Sequence, residues 1–288
     1  MESASDYRVA VAVAHPERAA QLTRTAVDVA RDAGGEVLVL SVLVTQRQSP
    51  FALFTDEVIK RRFGDERQEI LDRVVETAGG EVPVEGQLLV AYDAGRALVD
   101  AVVEFDCDAL VVGWHERERP SEIVLGSNVD RIVRNAPCDV LVEKLGVEAD
   151  GVDTVLVPVA RGPHAELAAE VARSIAVAND ARVDLLRVVG RNDDRGAAER
   201  LLTEIAALAR PAPVETRVVE GDVTDEVVEA SNDHDVTVLG TTRHSVLRRR
   251  LVGTVSQSVG RRSDSTVILT RKPVGVRPRL SRVIHEVL

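Results

Sequence analysis

Two stretches of this 288-residue chain carry residue types that suit phosphate. One reads Gly113-Trp114-His115-Glu116, then nine residues, then Gly126-Ser127. The other reads Gly240-Thr241-Thr242-Arg243, then nine residues, then Gly253-Thr254-Val255-Ser256. Glycine lets backbone N–H groups come close to an anion, and a helix opening behind it aims its positive dipole end at the same point. The second stretch also holds Arg243, His244, Arg248, Arg249 and Arg250. Their guanidinium forks suit phosphate oxygens, and suit equally the carboxylates of the rest of the chain.

Other reactive residue types lead less far. His15 and His115 would meet at one crevice mouth near Glu17 and Glu116. No third ligand has metal spacing, so solvent-facing loops account for them and neither a metal site nor a catalytic residue is expected. Trp114 suits stacking on a base or covering a sheet end. There is no Gly-x-Ser-x-Gly elbow, Walker lysine or GxGxxG fingerprint. Cys107 and Cys138 each precede a strand by two residues and read as buried free thiols.

The elements that would position these loops come from a duplication. Arg8–Ala14 aligns with Thr154–Ala160 at an offset of 146, as does Val37–Leu40 with Val183–Leu186. Leu110–Gly113 aligns with Thr237–Gly240 at an offset of 127, followed by Gly126-Ser127 with Gly253-Thr254 and Val140–Val142 with Val267–Leu269. The boundary falls in the short acidic stretch Leu145–Gly151, giving domains of 1–147 and 148–288. Within each copy, β-branched runs alternate with helical patterns: Ala19, Leu22, Ala26, Val29 and Ala33 in the first, Leu167, Val171, Ile175 and Ala178 in the second. The near-continuously apolar strands are those of parallel sheets covered on both faces. The predicted fold class is α/β: two tandem doubly wound, Rossmann-like domains, each with a five-stranded parallel sheet. The extra length of the first copy, Gln46–Gln68, holds Phe51, Phe54 and Phe63 and reads as a helix extension or a lid.

Charge divides along the same lines. Residues 1–147 carry 26 acids and 16 bases, residues 148–242 carry 19 and 9, and residues 243–288 carry 2 and 11. Of 36 bases only Lys60, Lys144 and Lys272 are lysine, a balance that suits a surface hydrated in high salt and also a GC-rich genome. The basic tail Arg271–Leu288 is expected to dock on the acidic body, with an anionic membrane face or a membrane partner as the other readings. Nucleic acid is disfavoured by the acidic body and by the 2% aromatic content. Met1–Tyr7 lacks a signal core and no run approaches the roughly 18 apolar residues of a membrane span, so a cytoplasmic protein is expected.

At the two glycine stretches the chain resembles the universal stress protein family (UspA-like) in its tandem two-domain form, over about residues 6–145 and 152–272. ATP-binding members of that family carry Gly, two residues, Gly, nine residues, then Gly and Ser or Thr. The resemblance therefore assigns nucleotide contacts to Gly113, Gly126 and Ser127 in the first copy. In the second it assigns them to Gly240, Arg243, Gly253, Thr254, Val255 and Ser256. It also implies pairing through the last strand of each domain, an internal pseudo-dimer, with a further homodimer left open. The departures are Glu116 and Arg243 in place of the second glycine, and Ala14 and Ala160 where ATP binders end the first strand in Asp. A Cβ in the loop and a negative charge beside a triphosphate both oppose binding. The expected function is therefore a non-enzymatic stress-response regulator that recognises a protein partner or an anion, its ATP binding weakened or lost. The alternatives are an ATP- or AMP-binding sensor with weak hydrolytic activity, with the second copy as the better nucleotide site, and a cytosolic regulator of a transporter.

Overall fold

The computed structural model describes residues 7–45, 65–78, 80–114, 126–147, 151–241 and 253–273. In chain order the first half contains β1 (Arg8–Ala12), α1 (Pro16–Asp32), β2 (Glu36–Val44), α2 (Asp65–Ala78), β3 (Val84–Ala91), α3 (Ala94–Glu104), β4 (Ala109–Trp114), α4 (Ser127–Asn135) and β5 (Asp139–Lys144). The second contains β6 (Thr154–Pro158), α5 (Pro163–Asn179), β7 (Arg182–Val189), α6 (Arg195–Ala206), β8 (Val214–Glu220), α7 (Val223–Asn232), β9 (Val236–Gly240), α8 (Thr254–Arg262) and β10 (Thr266–Arg271). The alternation expected from the repeat is thus present in both halves. Local signals set several helix starts. Pro occupies the first turn of α1 and α5. The carboxylates of Asp93, Asp194 and Asp222 accept first-turn N–H groups of α3, α6 and α7, worth about 1 kcal/mol each.

All ten strands join one sheet in the order β3-β2-β1-β4-β5-β10-β9-β6-β7-β8. Pairing is parallel within each half. Between the halves β5 and β10 run antiparallel, with Leu269 opposite Val142 and Thr270 opposite Leu141. Pairing through the last strands is therefore as the family resemblance implied.

Strand alternation sorts the core into two layers. Val9, Val11, Val111, Val155 and Val238 face α1, α2, α5 and α6. Ala10, Leu110, Val112, Leu156 and Leu239 face α3, α4, α7 and α8. With both faces covered, the strands must be apolar throughout, which is how they read in sequence. Two expectations need adjustment. The apolar run continues to Ala14, but β1 ends at Ala12, because the chain bends at Ala14 and passes through an extended His15 (φ −139°, ψ 136°) into a helix begun by Pro16. Cys138 stands one residue before β5, not two. The Gln46–Gln68 expectation concerns mostly residues outside those described, and α2 begins at Asp65.

The seam between the halves is reciprocal. Lys144, which ends β5, donates from Nζ to the Ser263 carbonyl at 2.9 Å, capping α8. Arg271, which ends β10, donates from Nη1 to the Ala136 carbonyl at 2.7 Å, capping α4. The basic residue that ends each half's last strand thus meets the negative dipole end of the other half's last helix. On the opposite face α1 packs on α5, where Asp32 accepts from Arg173 Nε at 2.9 Å and from Ser174 Oγ at 2.8 Å.

Candidate functional site

In the first half the strand order reverses between β1 and β4, each of which has its next sequential neighbour on the opposite side. A crevice opens there beyond the carboxyl ends of the strands, as the geometry of open α/β sheets requires. It is a cavity of about 340 Å³. Ala12, Val13 and Ala14 form its floor, Leu40 and Val42 one wall, and Leu98, Val129 and Ile132 the other. Among the described residues the lining contains no acid, lysine or arginine; their polar side chains there are His15 and Asn128, both exposed at the rim. Glycine is used for room at two points. A Cβ on Gly113 would collide with the Leu145 side chain, which lines the cavity beside it. A Cβ on Gly95 would come within 2.9 Å of the Asn128 carbonyl oxygen, so Gly95 lets α3 and the start of α4 approach closely.

The sequence-expected residues divide between the two halves. Gly113 lines the first-half cavity. Gly126 precedes α4 with φ +90°, a left-handed conformation that explains the glycine there. Ser127 is the first residue of α4, and its neighbours Asn128 and Val129 face the cavity. In the second half Gly240 ends β9, Gly253 caps α8, and Thr254 opens that helix, followed by Val255 and the buried Ser256. Gly253 has φ −67°, a conformation open to any residue. His115, Glu116, Arg243, His244, Arg248–Arg250 and the tail from residue 274 lie outside the described residues. So does the side chain of Glu17.

The second half's strand ends are knitted to its first helix. A Cβ on Gly240 would lie 2.7 Å from the His164 carbonyl carbon and oxygen, so the first turn of α5 rests against that glycine. Thr270 Oγ1 donates to the His164 carbonyl at 3.1 Å, and the Lys272 N–H donates to His164 Nδ1 at 3.0 Å. The Thr241 N–H completes the cluster by donating to the Thr270 carbonyl at 2.9 Å.

Residues that sequence reasoning did not single out line the seam. Glu143 of β5 is fully buried and accepts from Gln21 Nε2 at 2.7 Å and from Thr25 Oγ1 at 2.8 Å. Burial pushes its carboxyl up to about 7, against the pull of these bonds and of Arg24. Burial likewise raises Asp28 to about 7 and Asp139 to about 6. An alternation of apolar residues broken by Glu143 near the end of a core strand was the available signal. Trp114 closes β4 with 1% exposure, as a sheet-end cover. Cys107 and Cys138 are buried free thiols, pushed up to about 12 mainly by burial, and are poor nucleophiles for that reason. Among the described residues no group of His, Cys, Asp and Glu is placed to hold a metal ion. Nor, among those residues, is any helix long and apolar enough to cross a membrane.

The fold agrees with that of known proteins. A model of the universal stress protein family matches residues 7–144 and 190–271. The unmatched stretch between holds β6, α5 and the whole of β7, which the structure shows in the positions that β1, α1 and β2 take in the first half. The fold is similar to the crystal structure of a universal stress protein from Archaeoglobus fulgidus DSM 4304, at 18% identity and TM-score 0.69, covering 94% of this chain and 99% of that one. It is similar also to a putative universal stress protein from Pseudomonas aeruginosa UCBPP-PA14, at 17% identity and TM-score 0.58, covering 94% of each chain. A third similar structure is the cytoplasmic domain of a prokaryotic cation chloride cotransporter, at 14% identity and TM-score 0.59, covering 93% of this chain and 96% of that one. A search of the curated proteins finds no match. With the family's model matched in both halves of one continuous sheet, the chain belongs to the universal stress protein family in its tandem form.

Proposed function

We propose that this protein is a non-enzymatic regulator whose first-half crevice has lost the ability to hold ATP, and which acts by recognising a partner. The observation that carries this reading is the lining of that crevice. Its described residues include no cation to meet phosphate, Ala14 stands where ATP-binding relatives place an acid, and the Leu145 side chain occupies the space beside Gly113. A polyphosphate buried there would leave its charges unpaired, at a cost of several kcal/mol. In this reading the two halves form an internal pseudo-dimer in the cytoplasm, and the excess of acid with few lysines is an adaptation to high salt. The test is calorimetry of the full chain with ATP and with AMP in concentrated salt. The expected result is no ATP binding; tight ATP binding overturns the proposal.

A second reading is a nucleotide sensor working through the other half. Its support is the sequence run Arg243 to Arg250, which leads into Gly253-Thr254 at the start of α8. In that reading AMP or another phosphate is held by Gly240, Arg243, Gly253 and Thr254. Replacing Arg248–Arg250 with Ser then abolishes any AMP heat while leaving the thermal unfolding unchanged. The fold shared with a transporter's cytoplasmic domain makes a membrane carrier a reasonable partner class to seek. Co-purification with a membrane protein, lost on removing residues 274–288, is the corresponding result.

A further inference from the structure

The first-half crevice has the properties of a formed binding site. Its volume of about 340 Å³ falls within the roughly 300–1,000 Å³ of small-molecule pockets, which are mostly apolar with a few polar groups at fixed points. The volume arises because five lining positions, Ala12, Ala14, Ala19, Ala94 and Gly113, carry little or no side chain. Larger residues at any of them would close it. The apolar surface continues past the rim. Val44, which ends β2 and also lines the cavity, is 56% exposed, and Tyr92, just after β3, is 51% exposed. β2 and β3 pair through Val44 and Ala91, which places Tyr92 next to that pair.

The charge pattern selects the occupant. The lining offers aliphatic carbon at its walls and two hydrogen-bonding side chains, His15 and Asn128, at its mouth. An anion would have no lysine or arginine, and a buried cation no carboxylate, among the described lining residues; either would be desolvated without one of these partners. An uncharged hydrocarbon body is instead stabilised by about 25 cal/mol for each Å² of apolar surface removed from water. We propose that this crevice binds an uncharged, hydrocarbon-rich small molecule, its body among Val13, Leu22, Leu40 and Ile132 and its single polar group at the rim between His15 and Asn128. This rests on the reading that the first half does not hold ATP, and it names the ligand class that the same site takes instead.

The test uses the full chain and the neutral fluorophore 1-aminoanthracene, whose emission rises in apolar surroundings, with decan-1-ol as competitor. The expected result is saturable one-to-one binding, displaced by decan-1-ol and insensitive to salt. Ala14→Asp, at an exposed position on the floor's edge, should weaken binding at least tenfold, and Ala94→Leu should do the same by filling space. Ala160→Asp, the equivalent position in the second half, should leave it unchanged. Absence of saturable binding overturns the inference, as does binding that neither Ala14→Asp nor Ala94→Leu weakens. A parallel ATP titration separates the two proposals. ATP that displaces the fluorophore overturns the regulator reading and this one together. Failure of the fluorophore with ATP also silent overturns the ligand class alone.

Discussion

The two halves share one topology yet differ most where their crevices lie. In the first half, the strand ends frame a cavity, and Leu145 turns its side chain toward Gly113. At the equivalent places of the second half stand Lys272 and Gly240, and the first turn of α5 has settled against the glycine, pinned by Thr270 and the Lys272 amide. The core under the last helix differs too. Where the first half has Leu110, Ala136 and Cys138, the second has Thr237, Ser263 and Ser265, joined with Ser231 in a buried ring of hydroxyls 2.6 to 3.3 Å apart. At the seam, by contrast, the halves are matched, Lys144 and Arg271 each capping the other's helix. Sheet pairing constrains both copies at once, because one interface uses equivalent residues twice. The crevices carry no such constraint and are free to diverge.

The sharpest way to break this comparison is one substitution made at equivalent glycines. Gly240→Ala places a Cβ against the backbone of His164 and Ala165, which can yield only if α5 moves. The expected loss is about 3 kcal/mol, in the range of an overpacked core, read as a lower denaturant midpoint. Gly113→Ala meets the end of the Leu145 side chain, which can rotate aside, and is expected to lose under about 1 kcal/mol. Equal losses at the two sites would show that the crevices are built alike.

The seam gives a smaller effect, with the opposite symmetry. Arg271→Met keeps most of the buried stem but leaves the Ala136 carbonyl without its charged donor. Removing a charged partner from a buried carbonyl costs about 2 kcal/mol. Lys144→Met orphans the Ser263 carbonyl in the same way and should cost about the same. If one variant is neutral while the other unfolds the chain, the reciprocal capping is not what joins the halves.

Much of the fold could be read from sequence because repetition supplies its own check: two offsets, each shared by several motifs, fix the element order and the duplication. Alternation along β1 and β4 then assigns residues to faces. The cavity could not be read in this way. Ala94, Leu98, Asn128, Val129 and Leu145 come from separate segments, and nothing in the local pattern of any one announces that they converge. The attention drawn by the glycine loops went to phosphate, whereas the residues around Gly113 make the site apolar. Lys144 stands out in sequence only as a rare lysine and Arg271 only as the start of the basic tail, since a helix C-terminus from the other half is invisible to local patterns. Glu143 was overlooked because its hydrogen-bond partners, Gln21 and Thr25, lie more than a hundred residues away in sequence.

Glu143 supplies the expected effect that depends on pH. Its equivalent in the second half is Thr270, whose hydroxyl donates to the His164 carbonyl, so only the first half has a titrating group at this place in β5. The carboxyl is raised from 4.5 to about 7 in the fold. Between those values the native state holds a proton that the unfolded chain has released. Its contribution to stability is therefore complete below about pH 4.5 and is lost as pH rises through 7. Across that window the change is on the order of 1–3 kcal/mol. Asp28, raised to about 7 by burial and by Glu81 against the pull of Asn179, Arg31 and Arg24, adds to the slope in the same direction. Glu143→Gln keeps an acceptor for Thr25 and removes the proton, so it should flatten the fall in stability between pH 5 and 8. The check is denaturant midpoints measured across that range for wild type and variant. Parallel curves would mean that Glu143 stays charged at the seam, held by Gln21 and Thr25 despite its burial. The first half would then resemble the second in having no proton switch there.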